Sequence, residues 1–120
     1  MLHLIAEAEW AAAQIGGWIA PPSLHTDGFV HCTDGDEMML GVANRFYRSF
    51  TETVLALTLD EARLSAVVVR EPPAHPDGRA AQNGEPLFPH VYGPVEVAAV
   101  GGVRRLVRDV DGRYIGYAEF

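Results

Sequence analysis

Three histidines stand inside apolar, strand-forming segments: His3 in MLHLIA, His31 in GFVHCT and His90 in FPHVYGP. An imidazole near neutral pH can act as acid, base or electrostatic partner. Among apolar neighbours its ring nitrogens also need partners. Each histidine taken singly reads as a hydrogen-bonded core residue, while the three together point to a site. In GFVHCT the side chains of a strand alternate, so Phe29, His31 and Thr33 share one face and Val30 and Cys32 the other. His31 and Cys32 are therefore adjacent but cannot pair as base and nucleophile, and Cys32 reads as a small buried apolar residue. His31 and Thr33 offer a ring and a hydroxyl suited to the polar groups of a ligand. In FPHVYGP, His90 and Tyr92 share a face, and Pro89 and Gly93-Pro94 stiffen the backbone on both sides, as a positioned site requires. The alternative is that Tyr92 packs with its hydroxyl outward. Glu71 ends the apolar run VVVRE beside a loop, where a carboxylate is either catalytic or simply solvated. A phosphate would want a cation, and Arg45, Arg48 or Arg70 can supply one.

The elements that must carry these residues follow from patterning. MLHLIA predicts a short strand, followed by a helix from Ala6 to Ile15 that Gly16-Gly17 stops. WIAPPSL reads as extended, because each proline pushes its predecessor out of the helical region. Asp27-Gly28 marks a turn before a strand over FVHCT. Thr33 or Asp34 is placed to cap a second helix running to about Arg48, with Asp36 and Glu37 in its first turn. Leu40, Ala43, Phe46 and Tyr47 recur at helical spacing, which predicts their burial. TVLALTL predicts a central strand buried on both faces, with Leu64 to Glu71 as its neighbour. Pro72 to Pro86 is a long polar loop of the kind that can close over a ligand. A strand from Val95 to about Val107 should turn at Asp111-Gly112 into a last strand over 113–118. The expected fold class is α+β: a small split, mostly antiparallel sheet with two early helices. All 120 residues are expected to form one domain.

Composition narrows the chemistry. Apolar residues make 48% and charged residues 21%, a globular balance. The nine basic residues are all arginines and the acidic ones number sixteen, giving a net charge of −7. General nucleic-acid binding and attachment to an anionic membrane both want a basic footprint and are disfavoured. The absence of lysine excludes Schiff-base chemistry and a Walker A loop. A single cysteine excludes an internal disulfide and a cysteine-rich zinc site. There is no H-E-x-x-H spacing and no dinucleotide fingerprint, and no metal is expected. No basic leader precedes an apolar segment, and no apolar run approaches ~18 residues, so a cytoplasmic protein is the expectation.

HLIAEAEW, SLHTDGFVHCT, VANRFY and EPLFPHVYGPV, in that order along nearly the whole chain, resemble the bacterial domain-of-unknown-function family 952. That family's layout is similar to the ADP-ribosyltransferase fold, a small split sheet that clamps NAD. The resemblance implies that His3, on the first strand, contacts the nicotinamide-side ribose. It implies further that GFVHCT and HVYGP supply the later site motifs. Many active members of that fold carry a glutamate late in the sheet that orients the ribose 2′-hydroxyl. HVYGP has none; Glu96 follows it and Glu71 lies on a different strand. The roles implied are His31, His90 and Glu71 as catalytic groups and His3, Thr33, Tyr92 and Arg45 as ligand contacts. NAD or another nucleotide-like small molecule would be the substrate. Two other readings stay open: a binding module that kept the cleft without the chemistry, and a metal-dependent hydrolase built on His3, His31 and His90.

Overall fold

The run TVLALTL lies at the centre of the molecule because both of its faces find apolar partners. The computed structural model describes residues 1–73 and 84–120. Strand β4 (Val54–Leu59) pairs antiparallel with β1 (Leu2–Ala6) on one side and β8 (Val100–Arg108) on the other. β9 (Tyr114–Glu119) completes the sheet in the order β1-β4-β8-β9. Alternation along β4 then separates two cores. Val54 and Ala56 pack with Leu2, Leu4, Met39, Ala43 and Leu106, under α3 (Asp36–Phe46). Leu55, Leu57 and Leu59 pack on the opposite face with Ile5, Trp10, Val30, Cys32 and Val91. This second core draws on α1 (Glu7–Gly16) and on a three-stranded sheet made by β3 (Val30–His31), β6 (Phe88–Val91) and β5 (Val68–Glu71), in that order. A short pair of β2 (Trp18–Ile19) and β7 (Val95–Glu96) lies beside them. All these pairings are antiparallel, and the class is α+β with few helices. A Leu2–Thr33 bridge connects the two larger sheets, each residue's N–H donating to the other's carbonyl at 2.7 and 2.8 Å.

Several expectations are corrected. The stretch Leu64 to Glu71 is not the neighbour of β4. Only Val68–Glu71 is a strand, and it pairs with β6 in the other sheet, its side chains half-buried or exposed. Three valines in a row suit any strand, and nothing local says which partner they meet. The strand expected from Val95 to Val107 is broken by a 3₁₀ turn at Val97–Ala99. WIAPPSL is not extended throughout, because Pro22 opens a short helix, α2 (Ser23–Thr26), which makes a third early helix. The strand over FVHCT shortens to two residues. Neither Thr33 nor Asp34 caps α3. The cap is Gly35 at φ 92°, a backbone that only glycine adopts without strain, and Asp34 turns instead to Arg70. On α3, Met39 and Ala43 are buried whereas Phe46 is exposed. The expected loop from Pro72 to Pro86 falls for the most part outside the described residues.

Candidate functional site

The register of β5 against β6 builds the first part of the site. Val69 opposes His90 and Glu71 opposes Phe88, so Glu71 sits diagonally across from His90 on the same face. Its Oε1 lies 2.7 Å from Nδ1 of His90, which is almost wholly buried. The Tyr92 hydroxyl donates to the same oxygen. The two bonds hold the Glu71 carboxyl below its ordinary range, the tyrosine hydroxyl contributing more. The same bond raises the Tyr92 hydroxyl, since ionisation would set its charge against the carboxylate. An ionised carboxylate only accepts, so Nδ1 of His90 carries the proton and Nε2 the lone pair. This is the tautomer of an imidazole oriented for proton transfer.

His31 on β3 stands directly opposite His90 on β6. Its Nε2 lies 2.8 Å from Oδ2 of Asp27, four residues back across the turn. Phe29 packs against both histidines. Its ring stacks on His90 at 3.9 Å between centroids and meets the His31 ring edge-on at 4.8 Å. The imidazoles are 5.5 Å apart. Two histidines, each oriented by a carboxylate, thus form with Phe29 a cluster of three rings in mutual contact. Alternation along GFVHCT places Phe29 on the right face without giving it a role, and the Asp27-Gly28 pair reads only as a turn. The spacing of Asp27 four residues before His31 was the available signal.

His3 belongs to the other side of the site. Its Nδ1 lies 2.8 Å from the backbone carbonyl of His31, to which it donates. Burial pushes its pKa down and outweighs the bond to the His31 carbonyl, which raises it, so the ring is neutral with Nε2 as an acceptor. His3, His31 and Thr33 together line a cleft of about 660 Å³, along with Ile5, Ile19 and Trp18. The cleft follows the edge of β1 that β4 leaves open. His31 thus joins the two parts, its carbonyl fixing His3 and its ring facing Phe29 and His90.

Not every candidate joins this group. Arg45 lies near the end of α3 with its guanidinium over Phe46 at 5.3 Å, and it does not line the cleft. Arg70 is engaged by Asp34 and Glu61, each at 2.8 Å. Arg48 donates to the Asp111 carbonyl. Cys32 faces the opposite core, where burial pushes its thiol up to about 12. Among the described residues no three or more His, Cys, Asp or Glu side chains are placed to hold a metal ion. Among the described residues no helix is long and apolar enough to cross a membrane.

Fold and site together define an α+β protein with split antiparallel sheets and a histidine-lined cleft. The family model described as Protein of unknown function (DUF952) matches residues 4–103, and the chain belongs to that family. The chain is similar to the X-ray structure of protein CC0527 from Caulobacter crescentus, at 26% identity and a TM-score of 0.76, over 95% of this chain and 91% of that one. The solution NMR structure of CC0527 has a TM-score of 0.64 at 24% identity, over 92% and 87% of the two chains. None of the curated proteins matches this chain.

Proposed function

We propose that the protein is an ADP-ribosyltransferase-like enzyme that takes NAD or a related nucleotide in the histidine-lined cleft and cleaves or transfers its ADP-ribose group. One observation carries this reading: His3 and Thr33, expected as ligand contacts, and His31, expected as a catalytic group, line one cleft, and the Glu71–His90 pair adjoins it through His31. The split between a four-stranded and a three-stranded sheet supports the corresponding fold. Breaking the bond from ribose C1′ to nicotinamide sends the bonding electrons to the departing ring and leaves positive charge on the sugar. Positioned dipoles and a carboxylate serve that step better than a strong nucleophile does. Glu71 reaches across from β5 to the HVYGP strand and brings a carboxylate to a segment that has none of its own. His90, oriented by Glu71 and in ring contact with His31, would act as an electrostatic partner beside the cleft.

The test is a melting-temperature measurement with NAD, ADP-ribose and other nucleotides. Saturation to a hundred times the dissociation constant adds ~2.7 kcal/mol, several degrees for a chain of this size. The reading expects that rise in the native chain, its loss in His31→Ala, and release of nicotinamide. Binding without release would establish the non-catalytic module instead. The hydrolase reading lacks comparable support, because among the described residues no three or more His, Cys, Asp or Glu side chains are placed to hold a metal ion.

A further inference from the structure

A second recess of about 510 Å³ lies on the far side of Trp18 from the cleft. It is lined by Trp18, Tyr92 and Pro94 and by the small residues Ser65, Ala66 and Gly93. Trp18 is 51% exposed and Tyr92 44%, the reverse of what an aromatic ring in water favours. Both residues are nevertheless held in place. The Trp18 backbone is set by the pairing of β2 with β7, opposite Glu96, and the Tyr92 ring by its hydroxyl on Glu71. Gly93 has a geometric reason to be glycine: a Cβ built there would stand 2.9 Å from the Cβ of Ala66. Among the described residues no charged side chain lines the recess. What it offers is ring faces, the indole N–H and the Ser65 hydroxyl.

We infer that this recess is a subsite for a planar heteroaromatic ring, stacked against Trp18 and Tyr92. Stacking tolerates many ring types because each has a π-face. Trp18 and Ala20 also line the large cleft, so the two spaces adjoin. A ligand with a sugar at His3, His31 and Thr33 and a ring at Trp18 would occupy both. The identity of the ring rests on the nucleotide reading above: the base or the nicotinamide of such a ligand has the required chemistry.

Tryptophan fluorescence tests the subsite directly. The chain has two tryptophans, and Trp10 is only 6% exposed, so quenching by a small solute reports mainly Trp18. Adenosine and nicotinamide, titrated separately, should each be checked for shielding of Trp18 from iodide, and the one that shields it names the ring. Trp18→Ala, at an exposed position, should weaken that compound's binding about tenfold by calorimetry with unchanged circular dichroism. Trp18→Phe should restore part of the affinity. Failure of both compounds to shield Trp18, with NAD still raising the melting temperature and His31→Ala abolishing the rise, overturns the subsite and leaves the nucleotide reading standing. Shielding of Trp18 with no rise from NAD or any other nucleotide upholds the subsite and overturns the nucleotide reading. No shielding and no rise with any nucleotide overturns both.

Discussion

At the scale of single residues, Glu71 determines the state of two others. Its carboxylate fixes the proton on Nδ1 of His90 and accepts from Tyr92. Glu71→Gln replaces an acceptor-only group by one that also donates, so Nδ1 loses its obligate acceptor. Imidazole nitrogen NMR should then show His90 with both neutral tautomers, against a single one in the native chain. Tyr92→Phe should leave the tautomer intact and raise the Glu71 pKa towards its ordinary value, because the tyrosine hydroxyl is the larger cause of its depression. Cys32 gives a separate test. A thiol held at about 12 is protonated at neutral pH. A thiol-reactive dye should leave it unmodified in the native chain and label it only after unfolding.

At the scale of elements, packing sets the tolerances. Met39 is the most buried large residue of α3, at 1% exposure, and Met39→Ala should cost about 2–5 kcal/mol in urea unfolding. Gly93→Ala forces the Gly93 turn and the Ala66 segment apart, with an expected cost of about 1–3 kcal/mol. β4 was legible in the sequence because an unbroken apolar run of that length, rich in β-formers, fits a strand covered on both faces and little else. The face shared by His90 and Tyr92, and the separation of His31 from Cys32, were legible because alternation is a local rule. The contact of Glu71 with His90 was not, since it depends on which strand β5 pairs with, and a run of valines leaves that open. The N-terminus of α3 misled for the opposite reason. Thr33 and Asp34 have good capping side chains, but the Thr33 backbone is held in a bridge to Leu2 two residues before the cap, and the Asp34 carboxylate is taken by Arg70. Arg45 was a candidate by charge alone, and charge carries no address.

At the scale of the whole molecule, acid should unfold the protein in two stages. His3 has a lowered pKa in the folded chain, so below about 6.5 the unfolded chain takes up the proton first. Stability is then complete above that pH and falls below it, by at most about 1.4 kcal/mol per pH unit for one group. Asp34, Asp36 and Glu71 are depressed by their partners, and the stability they bring is present above the ordinary carboxylate range and lost as pH falls through their folded values. Melting temperature measured against pH should therefore decline first below about 6.5 and again in the carboxylate range, and His3→Gln should remove the first decline alone.

The Leu2–Thr33 bridge links the four-stranded sheet to the three-stranded one beside the cleft. Its two amide protons are consequently a natural gauge of how often the molecule parts along that seam. Deuterium would enter at Leu2 and Thr33 with equal protection, each relative to its own intrinsic rate, if the sheets separate as rigid halves. A nucleotide clasped between His3 and Thr33 would slow both amides by the same factor.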